Sequence, residues 1–312
     1  VSLIRIVFLG TPEFARHHLA GLLSDDHFKV VGVVTQPDRP SGRNMKPTPS
    51  AVKELALAHN LPLLQPEKMN EPETLEAIKA WKAEAAVVVA YGQILPQKFL
   101  DMFPAKVVNI HGSLLPRWRG AAPIQRAIMA GDKETGVSLQ VMVKKLDAGD
   151  VIGEEKISIT ENMTAIELHE LLWPLGVRLL HVEFMDYLRG NLMPKPQNEN
   201  AITYAHKIDK AEAKIDWSLS AQEIYNRMRG LVLGPGSFAE FKNKKIKIHE
   251  ALPQLKLSGK PGQVIAVDEK SLTVACGQGA LQIFVVQPES KPKMKVHDFL
   301  LGHPVKLGEQ WQ

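Results

Sequence analysis

Between residue 1 and about residue 190, short runs rich in β-branched residues alternate with stretches of helical period, and this alternation narrows the possible folds most. It is the pattern of a parallel sheet covered by helices on both faces. The strand runs are 4–9, 30–35, 85–90, 106–110 and 138–143. Helical spacing runs over 12–23, 50–59 and 164–189, with Pro12 and Pro49 near a first turn, where helices tolerate a missing N–H. The expected architecture is an open, mostly parallel, Rossmann-like α/β sheet.

After residue 190 the pattern changes. Gly190-Asn191-Leu192-Met193-Pro194-Lys195-Pro196-Gln197 is polar and punctuated by proline, the composition of a linker. One helix follows over 221–230. Then come five short strands, 238–242, 246–250, 263–267, 272–275 and 281–286, separated by Gly, Pro and Asp turns. Five short strands in about 100 residues predict a small closed β-barrel of the oligonucleotide-binding (OB-like) type. The expected division is a domain over 1–190, a linker over 191–208 and a second domain over 209–312. A length of 312 residues also exceeds what one small core usually organises.

Charge follows the same division. Residues 1–208 hold 23 Lys/Arg and 23 Asp/Glu, whereas 209–312 hold 15 and 11, so the net +4 lies wholly in the last third. This reads as a basic appendage on a neutral body. The single cysteine, Cys276, has no partner for an intramolecular disulfide, and no Cys/His cluster has zinc-ligand spacing. A cytoplasmic, reducing location and metal-free chemistry are expected. No apolar run approaches the roughly 20 residues of a membrane span, and the opening residues read as a core strand rather than a signal peptide.

Open α/β sheets bind ligands beyond the C-terminal ends of their strands. Gly10-Thr11-Pro12 follows the first strand without the G-x-G-x-x-G spacing, which disfavours a nicotinamide cofactor. Asn109 and His111, two apart at the end of strand 106–110, share a face. An amide and an imidazole there can hold a carbonyl oxygen as it gains charge. A core histidine beside a strand-end cap is the structural alternative. Leu114-Leu115-Pro116 then supplies a stiff apolar wall suited to a flat heterocycle. Downstream, Asp147 and Asp150 flank Ala148-Gly149 in a turn, and either carboxylate could orient His111 and take a proton from an attacking ammonium. Spacing does not choose between them.

Asn109-x-His111-Gly112-Ser113-Leu114-Leu115-Pro116-x-x-x-Gly120, followed by Leu146-Asp147-x-Gly149-Asp150, resembles the folate-dependent formyltransferases. Phe8-Leu9-Gly10-Thr11-Pro12-Glu13-Phe14-Ala15, Ala90-Tyr91-Gly92-x-Ile94-Leu95-Pro96, Pro116-Arg117-Trp118-Arg119-Gly120-Ala121-Ala122-Pro123 and Ile215-Asp216-Trp217 extend the likeness over nearly the whole chain, toward members acting on a charged initiator tRNA. The resemblance implies transfer of formyl from 10-formyltetrahydrofolate to the amino group of methionyl initiator tRNA. It implies Asn109, His111 and Asp147 as catalytic residues, and so selects Asp147 over Asp150. Ser113, Leu114, Leu115 and Pro116 become the folate-binding segment, and Arg43, Lys46 and Lys207 the tRNA contacts. No metal and no obligate protein partner are implied. In two places the sequence departs from the family's pattern: the loop Gly42-Arg43-Asn44-Met45-Lys46 is sparsely basic, and Leu231-Val232-Leu233-Gly234-Pro235-Gly236 stands where Asn-Pro-Trp-Pro is usual. A formyltransferase acting on a nucleotide sugar or glycinamide nucleotide is the rival within the family. A nucleic-acid-binding protein with an inert α/β scaffold is the rival outside it.

Overall fold

The computed structural model describes residues 3–41 and 46–312, which form two compact units. The first takes in the chain up to Pro123, Glu134–Ser158 and His169–Ala205. Its sheet has seven strands: β1 (Ile4–Gly10), β2 (Phe28–Val34), β3 (Leu63–Leu64), β4 (Ala85–Val89), β5 (Val107–His111), β6 (Glu134–Val141) and β7 (Val151–Ser158). They lie in the order β7-β6-β5-β4-β1-β2-β3. β5, β4, β1, β2 and β3 are parallel, whereas β6 runs antiparallel to β5 and β7 antiparallel to β6. Every residue of β4, Ala-Ala-Val-Val-Val, is buried, as expected of a strand covered on both faces. β7 is an edge strand with mostly alternating partial burial, and its Glu154-Glu155-Lys156 centre conceals it from a reading of hydrophobic runs.

The helices α1 (Glu13–Leu23) and α2 (Ala51–Ala58) form where the spacing predicts. The stripe Phe14, Ala15, His18, Leu19 and Leu22 turns α1 onto the sheet. Ser50 caps α2, its Oγ accepting the Lys53 N–H at 3.0 Å. The expected helix over 164–189 is two, α3 (Ala165–His181) and α4 (Glu183–Leu188), separated by Val182. Gly176 in α3 sits hard against α1 and β5. A methyl group there would lie 2.1 Å from His18 Nε2 and 3.1 Å from Ile110 Cγ2, so only glycine permits this approach.

The stretch read as a linker is largely built into the first unit. Lys195 exchanges both backbone hydrogen bonds with Val151 at 2.8 Å, and Tyr204–Ala205 pair in parallel with Arg119–Gly120. Those bonds satisfy backbone groups that a free linker would leave to water. The compact unit accordingly continues to Ala205.

The second unit combines His206–Gln312 with two earlier pieces, Ile124–Lys133 and Ile159–Leu168. Its helix α5 (Ala221–Leu231) begins at a capping box of Ser220 and Glu223. Against α5 pack the earlier pieces: Tyr225 OH donates to Asn162 Oδ1 at 2.9 Å, and Arg229 Nη1 donates to the Met163 carbonyl at 2.6 Å. The antiparallel sheet has the order β8 (Ser237–Phe241), β9 (Lys244–Gln254), β12 (Ala280–Pro288), β11 (Leu272–Ala275) and β10 (Val264–Val267), and a sixth, two-residue strand, Met294–Lys295, also pairs with β12. The five strands match the expected ones within a few residues, with β9 the longest. Closure comes from residues 308–312. Gly308 N–H donates to Val264 O and Val264 N–H to Glu309 O on one side, while Glu240 and Gln312 exchange backbone bonds on the other. Trp311, 1% exposed, stacks on Phe241 at 5.0 Å inside a core that includes Trp217, Ile246, Leu281 and Phe299.

Candidate active site

Antiparallel pairing of β5 with β6 creates the site. Asn109 stands opposite Gln140 and His111 opposite Ser138, while Val108 and Ile110 face Val141 and Leu139. Directly opposed residues share a face. One face of this strand pair is therefore apolar, and the other presents Asn109, His111, Ser138 and Gln140 near the C-terminal end of β5. All four are at least nine-tenths buried.

Each polar group has a defined partner or a defined vacancy. The His111 Nε2 lies 2.8 Å from the Trp118 carbonyl, which can only accept, so Nε2 carries a proton. The Nδ1 atom faces Asp147 Oδ2 at 3.7 Å, too long for a direct hydrogen bond and close enough for the carboxylate to attract a proton arriving on Nδ1. Asp147 is fixed from two sides: Oδ2 accepts the Gly120 N–H at 2.8 Å and Oδ1 accepts Gln140 Nε2–H at 3.0 Å. Its backbone is left-handed, with φ +44°, a conformation that costs a non-glycine residue about 1–3 kcal/mol and persists only where surroundings impose it. Asp150, by contrast, is exposed. Among the described residues the Asn109 side-chain amide makes no hydrogen bond, so its N–H remains available to a ligand.

Of the segment after β5, Ser113 and Leu115 are buried, and Leu114 and Pro116 are half-buried. Hydrogen bonds within the segment and to β6 hold it. Leu115 N–H donates to Ser138 Oγ at 3.0 Å, Ser113 Oγ–H to the Arg117 carbonyl at 2.6 Å, and Arg117 N–H to the Leu114 carbonyl at 3.0 Å. The segment thus offers an apolar wall of fixed shape. The peptide bond between Leu115 and Pro116 is cis.

Two of the three tRNA residues expected from the sequence are described. Arg43 lies outside the described residues. Lys46 is exposed at the start of the short strand Lys46–Thr48 in the first unit, and Lys207 is exposed in the second, its carbonyl accepting Arg126 Nη2–H at 3.3 Å. The second unit also holds a groove of about 700 Å³ lined by Tyr225, Arg229, Lys247, His249 and Lys293 among others. It contains none of the residues around His111.

Sequence reasoning missed Gln140, Arg119 and Gln197. Gln140 was detectable in principle, because Ser138-x-Gln140 repeats the polar alternation of Asn109-x-His111, but only once antiparallel register is known. Among the described residues no group of three or more His, Cys, Asp or Glu side chains is placed to hold a metal. No helix among them is long and apolar enough to cross a membrane.

Residues 4–180 match the family model of the formyl transferases, and residues 207–304 match that of the formyl transferase C-terminal domain. The chain is 57% identical over 315 residues to the methionyl-tRNA formyltransferase of Bdellovibrio bacteriovorus, covering 99% of each chain. It is 44% identical to that of a Sulfurihydrogenibium species, covering 99% of this chain and 100% of the relative. Among solved structures, the N-formyltransferase of Helicobacter canadensis, in complex with folinic acid and dTDP-3-aminofucose, superposes with a TM-score of 0.67 at 19% identity, covering 92% of this chain and all of its own. HypX of Aquifex aeolicus gives 0.65 at 19% identity, and this chain spans about half of it, 99% against 49%. At such identity the structural likeness speaks to the fold. Both parts of the family's architecture are matched in order, and relatives align from end to end: the chain belongs to the formyltransferase family.

Proposed function

We propose that the chain transfers the formyl group of 10-formyltetrahydrofolate to the amino group of methionyl initiator tRNA. The observation that carries this reading is the 57% identity to a methionyl-tRNA formyltransferase across 99% of both chains, because it embraces both units rather than the transfer machinery alone. Support from the second unit is its excess of cations, with Lys242, Lys244, Lys245 and Lys247 exposed along and just before β9. A polyanion is the partner such a surface favours.

The chemistry follows from the hydrogen bonding. The amine attacks the formyl carbon, a new C–N bond forms, and the bond from that carbon to the folate nitrogen breaks. Negative charge develops on the formyl oxygen in between. Asn109, whose amide N–H has no other partner among the described residues, stabilises that charge, and one donor of this kind is worth ~2.7–4 kcal/mol of barrier. His111 has its Nε2–H committed to the Trp118 carbonyl, so Nδ1 is the atom that accepts the proton shed by the amine. Asp147 holds that proton in place until the departing nitrogen takes it. Leu114, Leu115 and Pro116 form the wall for the flat folate ring, and Lys46, Lys207 and Arg43 are assigned to tRNA.

The test supplies 10-formyltetrahydrofolate together with charged methionyl-tRNA, free methionine or a nucleotide-sugar amine in separate reactions. Formylation confined to the tRNA arm is expected. Formylation of the sugar amine alone would overturn the substrate.

A further inference from the structure

We propose that Gln197 is a positioning residue for formyl transfer, locking the left-handed turn that carries Asp147. The inference rests on the reading of Asp147 and His111 as the proton-handling pair. Gln197 touches neither ring nor carboxylate of that pair. Its side chain instead uses both ends of its amide to brace their support.

The donor end serves the turn. Nε2–H groups reach the carbonyls of Asp147 at 2.9 Å and Gly149 at 2.7 Å, fixing two peptide planes on either side of Ala148. The acceptor end serves Arg119, whose Nε–H and Nη2–H both donate to Gln197 Oε1, at 3.0 and 2.7 Å. Arg119 directly precedes Gly120, and Gly120 supplies the N–H that holds Asp147 Oδ2. The hydrogen bonds therefore close a ring: Gln197 to the Asp147 backbone, the Asp147 carboxylate to Gly120, Arg119 back to Gln197. Gln140, which holds the other carboxylate oxygen, has its Oε1 at 3.5 Å from Gln197 Nε2.

Two further facts make this ring consequential. Asp147 adopts φ +44°, which a side-chain-bearing residue abandons unless its surroundings hold it. Arg119 is 2% exposed, and its Nη1 has no partner among the described residues, so Gln197 is the acceptor on which this buried cation depends. Without the brace, the turn relaxes and the carboxylate leaves its place 3.7 Å from His111 Nδ1. A displacement of this size matters in transfer chemistry, where reacting groups must be held to fractions of an ångström.

The experiment is a mutant cycle read as kcat and KM, using Gln197→Ala, Gln197→Glu and Asp147→Asn in the full-length protein. Gln197→Glu keeps an acceptor for Arg119 but cannot donate to the two carbonyls, so it separates bracing of the turn from satisfaction of the buried cation. Both Gln197 variants are expected to lower kcat by about 10–100-fold, with KM for tRNA and for folate within about twofold of wild type, and Gln197→Glu to remain folded at the assay temperature by circular dichroism. Added to Asp147→Asn, Gln197→Ala should cost less than about another twofold, because the group it positions is already disabled. Wild-type turnover in Gln197→Glu, an equal loss in both backgrounds, or a loss confined to KM would overturn the proposal. If the wild-type protein formylates a different amine, the substrate reading fails, and the same cycle run on that amine still decides the role of Gln197.

Discussion

The two units solve opposite electrostatic problems. In the first, Asn109, His111, Ser138 and Gln140 are buried, His111 and Asp147 are held by hydrogen bonds of stated direction, and among the described residues the Asn109 amide is left with an open donor. In the second, the cations of β9 are exposed, with Lys245 resting on the Phe238 ring at 3.8 Å. Transition-state charge is stabilised only by dipoles already in place, whereas a polyanion is attracted by mobile surface charge through release of its counterions. A buried site is thus sensitive to single atoms, and a basic surface is sensitive only to sums.

The sharpest way to break this contrast is at the buried end. Asn109→Ala and His111→Ala should each lower turnover by about 10²–10³ while folate affinity stays near wild type, measured by single-turnover formylation and equilibrium binding. Asp147→Asn should do at least as much damage. Exposed Asp150, replaced by Asn, should be milder, and the reverse order would exchange their roles.

Next in size is a stability effect confined to the first unit. Burial holds His18 well below its ordinary value, at about 4 against 6.5, with its Nδ1–H donating to the Phe14 carbonyl at 2.7 Å. The folded state keeps this ring neutral while the unfolded chain protonates it. Stability is therefore fully retained above about pH 6.5 and falls as pH drops toward 4, by on the order of 3 kcal/mol in all. His18→Gln should flatten that acid limb in denaturant titrations at pH 4.5 and 7. A limb of unchanged slope would assign the loss to other groups. Gly176→Ala, which forces a methyl group into His18, should cost about 1–3 kcal/mol at either pH.

The smallest effect belongs to the exposed surface. Replacing Lys244, Lys245 and Lys247 together by Ala should raise KM for tRNA about tenfold at low salt and reduce the slope of log affinity against log salt by about 2, with kcat unchanged. A fall in kcat instead would mean that the second unit also orders the chemistry. Point replacement is a cleaner probe than removing residues 209–312, because Ile124–Lys133 and Ile159–Leu168 belong to the second unit and would lose the helix they pack on.

Elements defined by local pattern were legible in the sequence: β1, β2, β4, β5 and the five strands of the second unit all arise from runs of apolar or alternating residues. Asn109 and His111 were legible for the same reason, since a strand end and a two-residue period locate them. What escaped was everything fixed by distant partners. β7 became a strand only through pairing with β6, and its acidic centre carries no apolar signal. The proposal of Asp147 over Asp150 rests physically on Gly120 and Gln140, which meet it 27 and 7 residues away. The stretch holding Gln197 reads as a linker because the partners of its polar groups, Val151, Asp147, Gly149 and Arg119, lie far upstream.

The closure of the second unit by residues 308–312 bears on its behaviour under stress. A sheet edge with spare N–H and C=O groups is a template for another copy of the same chain. Here one five-residue segment covers two such edges, β8 through Glu240 and β10 through Val264. Loosening it frees the backbone groups of Glu240 and Val264 together and withdraws Trp311 from the core. Protein heated until this segment loosens should therefore be lost to edge-to-edge aggregation.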